Sequence, residues 1–290
     1  MAGTPSSPLF RFVQVELPWR LGPPDGRYLL RAEGDPEGPP AHVLVIATLG
    51  APQRRRLIDR RRARDVAPGP EPEPVATGRA TIIDAGRPLA GVEQARAWLA
   101  AAGEDDLAAG VAVLNRALHA FRLATADPDQ HAVARRQAIA ARVGFGAGEE
   151  VADGLWTSAR ELAAPEPRHR RRRVLEPQAR LAALLGSRVA ALACEELALR
   201  ARLDLDHARP REAALQVLVA LDAAVAELAV DPHAGVLAGR LAELRGRREP
   251  IAAAAQSALG GTLSAEQLAI VDGTLSQIEA ALRARAVADS

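Results

Sequence analysis

ACEELALRARLDLDHARPREAALQVLVALDAAVAEL, residues 193–228, decides the fold of the C-terminal half. Alanine and leucine are the strongest helix formers, and they dominate this stretch. A helix is expected over about Ala191–Asp206. ARPREAA makes a tight turn, and Pro210 suits the first turn of the next helix, where its missing N–H costs nothing. That second helix should carry Leu215, Leu218, Leu221, Val225 and Leu228 inward at helical spacing.

The pair resembles a tetratricopeptide-type helical hairpin across residues 193–228. Ala213 and Ala214, followed by Leu215, sit where two such helices would approach closely. The resemblance implies a protein-binding helical array, but no second copy recurs at a fixed period, which a true array needs. No family is recognised for the whole chain. Outward from the hairpin the helical pattern continues. Pro177 suits a helix start and Gly186 a helix end. Asp231–Pro232 form a cap-like start for a segment carrying Val236, Leu237, Leu241 and Leu244. Pro250 and Gly260–Gly261 interrupt the chain. Ser264 and Gln267 match a capping box that opens a last helix with Leu268, Val271, Leu275, Ile278 and Leu282.

The N-terminal half reads differently. FRFVQVEL (10–17) is rich in β-branched and aromatic residues, apolar on both faces. Pro23, Pro24, Asp25 and Gly26 form a turn, and GRYLLRA reads as a returning strand. HVLVIATL (42–49) suits a central strand, and ATIIDA (80–85) a strand resuming after an insertion at 51–78. Two amphipathic helices follow. One carries Val92, Ala95, Trp98 and Leu99; the next carries Leu107, Val111, Leu114, Leu118 and Phe121, with Glu104, Asp105 and Asp106 at its dipole-favoured start. Residues 130–143 fit helix and strand equally. GFGAGEEVADGLW (144–156) reads as a turn-rich β element.

The expected class is therefore α+β: a small mixed or antiparallel sheet with helices, then an all-α helical bundle. Its parts are a tail at 1–7, an α+β domain at 8–160 with an Arg/Pro-rich insertion at 51–78, a connector at 161–173, and an all-α domain at 174–290. Aromatics make up only 3% of the chain, which favours closely packed helices over bulky cores. One cysteine, Cys194, excludes an intrachain disulfide. MAGTPSSP lacks the basic start and apolar run of a signal peptide, and no apolar run reaches the length of a membrane span. A cytoplasmic setting without membrane partners is expected.

Charge is unevenly placed. Lysine is absent, so all 37 basic residues are arginine, which reads as compositional bias. Residues 54–64 hold seven arginines and one aspartate; residues 168–173 hold five arginines. Together they carry +11 of a chain total of +1, so the remainder carries −10. Arg54, Arg55, Arg56, Arg60, Arg61, Arg62 and Arg64, with Arg168, Arg170, Arg171, Arg172 and Arg173, are the candidate anion or nucleic-acid contacts. Guanidinium forks match phosphate oxygens in pairs. Aromatics for base stacking are missing from both clusters, and a solvated connector is the plainer alternative.

Other motifs point to structure. Gly144, Gly146 and Gly148 lack the dinucleotide spacing and precede Glu149 and Glu150, so a hairpin turn is expected rather than a phosphate loop. Asp204, Asp206 and His207 could ligate a metal, but residues two apart diverge on a helix, and His207 suits a helix C-terminus. Cys194 beside Glu195 and Glu196 should be a buried structural thiol. The remaining histidines, including His42, lack ligand spacing. No catalytic residue, cofactor or metal is expected. The function expected is a non-enzymatic protein–protein interaction or scaffold role, with a protein partner or self-association. The alternative is an accessory nucleic-acid binder using both arginine clusters, and an enzyme assembled from dispersed residues stands third.

Overall fold

The structure is a computed structural model and describes residues 8–32, 34–50, 75–163 and 177–288. The chain divides into two compact units, Met1–Pro165 and Glu166–Ser290. It is an α+β protein.

The first unit is built on a six-stranded, wholly antiparallel sheet. Its strands are β1 (Leu9–Leu17), β2 (Gly26–Leu30), β3 (His42–Leu49), β4 (Thr77–Asp84), β5 (Ala140–Ala147) and β6 (Ser158–Glu161), in the order β2-β3-β4-β1-β5-β6. GRYLLRA forms the expected strand with Tyr28 and Leu30 on one face; β2 pairs only with β3, at the sheet edge. The inner place beside β4 and β5 falls to β1, because its side chains are apolar on both faces and both faces are covered. The strand expected as central, β3, lies one in from the edge. Residues 130–143 resolve into a short turn and the start of β5.

Two helices, α1 (Val92–Ala101) and α2 (Glu104–Thr125), cover one face. Leu107, Leu114 and Leu118 of α2 pack on Val13, Val15, Ile82 and Val143, all fully or nearly buried. A glycine sets how close α2 lies. A Cβ on Gly110 would sit 2.7 Å from Val13 Cγ1. A short helix, α3 (Gly148–Ala152), lies on the opposite face, where Val151 packs with Phe12 and Ile83. That face also buries a polar pair: Gln14 Nε2 donates to Thr81 Oγ1 at 3.0 Å, and Arg142 Nη1 donates to Gln14 Oε1 at 3.0 Å.

The expected hairpin turn at residues 144–148 is also corrected. Gly144 and Gly146 are interior residues of β5, and GEEVA is helical. A Cβ on Gly144 would lie 2.6 Å from both Phe12 Cζ and the Ser158 carbonyl oxygen. These glycines make room for aromatic packing: Phe12 and Trp156 rings lie 5.7 Å apart across them.

The second unit is helical: α4 (Pro177–Leu185), α5 (Ala193–Asp206), α6 (Pro210–Ala229), α7 (Ala234–Gly246), α8 (Arg248–Gly260) and α9 (Ala265–Ala288). Helices α5 and α6 form the expected hairpin. Its seam differs from expectation. Ala213, Ala214, Val217, Ala220, Leu221, Ala224 and Leu228 are buried, while Leu215, Leu218 and Val225 flank the seam half-buried. Small side chains let the two helices close, and the larger ones fit only at the margins. Glu227 of α6 closes the N-terminus of α5 by accepting the N–H groups of Ala193 (2.9 Å) and Cys194 (3.0 Å). Asp231 and Arg285 tie the α6–α7 turn to α9 at 2.5 Å, with side chains 4% and 12% exposed. The Ser264–Gln267 capping box is present at α9. Among the described residues no helix is long and apolar enough to cross a membrane.

Candidate ligand-binding site

The inward face of the sheet is apolar along most of each strand. On β1 the inward residues are Leu9, Arg11, Val13, Val15 and Leu17; on β4 they end with Ile82 and Asp84; on β3 they begin with His42 and Leu44. One cross-sheet row breaks this pattern on three adjacent strands. His42 is the register partner of Asp84, and Arg11 lies beside Asp84 on the next strand, Arg11 Nη2 to Asp84 Oδ2 being 3.3 Å.

These three side chains wall a cavity of about 440 Å³ between the sheet and α1–α2. Trp98 of α1, Asp106, Gly110 and Val113 of α2, and Gly86 and Arg87 after β4 complete it. Local structure positions each group. Ala85 and Gly86 donate their N–H groups to the Ala41 carbonyl, both at 3.0 Å, holding the post-β4 turn against the start of β3. The Arg11 guanidinium carbon lies 5.8 Å from the Trp98 ring centroid, a cation–π contact. Asp106 commits Oδ2 to the Gly103 N–H at 2.9 Å, which caps α2.

Two buried polar atoms of these residues, Arg11 Nε and His42 Nδ1, make no hydrogen bond and are sealed behind the wall. Leaving such a group unmatched costs about 1–3 kcal/mol. Burial holds the His42 imidazole below its ordinary pKa; Asp84 opposes that effect, and Arg116 and Arg87 reinforce it. His42 is therefore neutral at pH 7, and Nδ1 can donate or accept depending on tautomer. Arg11 Nε can only donate.

Sequence reasoning missed this site because its residues come from three strands and no local motif joins them. The available signal was an ionisable residue at an inward position in each strand: Arg11 in LFRFVQVEL, His42 before VLVI and Asp84 after TII.

The sites singled out from sequence fare as follows. Arg54, Arg55, Arg56, Arg60, Arg61, Arg62, Arg64, Arg168, Arg170, Arg171, Arg172 and Arg173 all lie outside the described residues. Asp204 is held by Arg209 (2.6 Å) and Gln216 (2.7 Å), and His207 follows the last residue of α5. Among the described residues no group of three or more His, Cys, Asp or Glu side chains converges as metal ligands would. Cys194 is fully buried, and burial together with Glu227 pushes its thiol pKa up. Glu149 pairs with Arg27 at 2.8 Å, Glu195 with Arg180, and Glu196 with Arg200 at 2.7 Å, so neither glutamate pair forms a dyad. Compared with protein-family models, curated proteins and solved structures, the chain matches none.

Proposed function

We propose that the N-terminal unit binds a small organic acid between its sheet and its helical layer. The observation that carries this reading is the row His42–Asp84–Arg11, three ionisable residues on adjacent strands that line a cavity whose wall also holds Arg87. Such a few convergent polar groups in a largely apolar cleft is how small-molecule sites are built. Arg11 and Asp84 offset one another, and Asp106 faces the positive N-terminus of α2 through the Gly103 N–H, which leaves Arg87 to select an acid over an amine. Arg87 lines the same wall, and Arg116 acts on His42 from nearby. Thermal unfolding with butyrate and with butylamine tests the reading. Butyrate should raise the melting temperature, and Arg11→Met should abolish the rise. Stabilisation by the amine alone would contradict it.

The helical unit carries a second reading, a protein-interaction surface on a tetratricopeptide-like hairpin. It rests on Leu199 and Leu203, one turn apart on α5 and 68% and 45% exposed. Contiguous exposed leucines on a helix are a common docking feature.

A further inference from the structure

Helix α4 has an apolar stripe that its own chain leaves in water. Its nine residues, PQARLAALL, place Leu181, Leu184 and Leu185 at i, i+3 and i+4 spacing. A helix this short is marginal unless such a stripe is packed, since isolated helices need about 12–15 residues. Here Leu181 is 54% and Leu185 78% exposed, and none of residues 178–185 is buried. The side-chain tie to the bundle is polar: Arg180 pairs with Glu195 at the start of α5.

Helix α5 carries a face of matching size and opposite charge. Glu196, Leu199, Leu203 and Asp206 fall at i, i+3, i+7 and i+10, and all four are exposed. This stripe is two leucines between two carboxylates. Arg200 pairs with Glu196 at 2.7 Å, which leaves Asp206 as its acidic end. From Pro177 to Leu192 the chain holds no acid, and its charged residues are Arg180 and Arg188. At 1.5 Å per residue α4 is about 14 Å long and the Glu196–Asp206 stripe about 15 Å.

We infer that α4 of one copy packs on the Leu199–Leu203 face of α5 in a second copy, and that the exchange is reciprocal. This rests on the protein-interaction reading of that face and names its partner as the chain itself. A twofold arrangement covers both stripes at once, because each copy supplies one α4 and one α5. The leucines of the two helices then meet, and Arg188, just beyond α4, faces Asp206 at the end of α5. A foreign helix would match one stripe and leave the other in water.

The test is sedimentation equilibrium of the full chain. The wild type should form a dimer with a measurable Kd. Leu185→Ala and Leu203→Ala should each raise that Kd about tenfold or more, as truncating a central interface side chain does. Both positions are exposed within one chain, so circular dichroism of the dilute variants should match the wild type. Combined, the two substitutions should raise Kd by less than the product of the single effects, because residues in contact are not additive. Effects that multiply would put the two leucines in separate contacts and overturn the inference. So would a wild-type chain that stays monomeric up to its solubility limit. If such a monomer bound a foreign partner that Leu199→Glu with Leu203→Glu released, the interaction reading would stand without the dimer. A monomer that loses no partner on those changes would overturn both.

Discussion

His42 and Asp84 are cross-strand partners on β3 and β4, yet the Asp84 carboxylate pairs with Arg11 at 3.3 Å, and His42 Nδ1 stays buried without a hydrogen bond. Burial therefore dominates the imidazole's titration. Nuclear magnetic resonance titration should place His42 below the ordinary histidine value of about 6.5. Asp84→Asn should lower it further, because the Asp84 charge is what opposes burial. The folded pKa is depressed below the unfolded one. Its contribution to stability is thus fully present above about pH 6.5 and is lost as pH falls toward the folded pKa.

Gly110→Ala should destabilise the first unit even though alanine favours helix over glycine by about 1 kcal/mol. The added Cβ meets Val13 at 2.7 Å and forces α2 off the sheet. Overpacking of this kind costs about 1–3 kcal/mol, and urea unfolding should show a net loss. A gain in stability would mean that α2 does not seat on β1 in this way.

Asp231→Ala should cost about 1–3 kcal/mol, since it removes the 2.5 Å partner of a nearly buried Arg285, which keeps its longer contact with Glu195 at 3.9 Å. Asp231 titrates below its ordinary value: burial opposes ionisation, but Arg285 and the His233 N–H outweigh it. Glu227 is held low as well, its burial outweighed by the Cys194 and Ala193 N–H groups. Both folded pKa values are depressed, so this stability is present above about pH 4 and is lost as pH falls through the folded values. Acid unfolding followed by circular dichroism should show the Asp231→Ala transition less steep than the wild type.

Leu199→Glu with Leu203→Glu should leave folding intact, because both side chains point to solvent, and should weaken any association made through α5. Sedimentation analysis reads self-association directly. An unchanged distribution, with every captured partner retained, would remove this face from the interaction reading.

How much could be read from sequence differed between the two halves for a physical reason. Helix positions depend on local signals, and those were explicit: Pro210 at the start of α6, the Ser264–Gln267 box at α9, and the helical spacing through Leu221 and Leu228. The hairpin seam was less legible, because packing and not hydrophobicity selects Ala213, Ala214 and Ala220 over Leu215 and Leu218. Strand order depends on pairing between distant segments, so β2 could not be assigned to the edge from its own residues. Gly144 and Gly146 looked like turn formers, but their role is clearance for Phe12 and Trp156, which lie elsewhere in the chain. The candidate site was hidden for the same reason: Arg11, His42 and Asp84 become neighbours only when β3, β4 and β1 pair.

The central claim is that this row holds an acid. The most direct measurement is the His42 imidazole resonance and the Arg11 Nε–H resonance during titration with butyrate. Saturable shifts of both with one Kd, absent in Arg11→Met, are the predicted result. Resonances that stay fixed at saturating butyrate, or shifts confined to residues remote from the cavity, would contradict it.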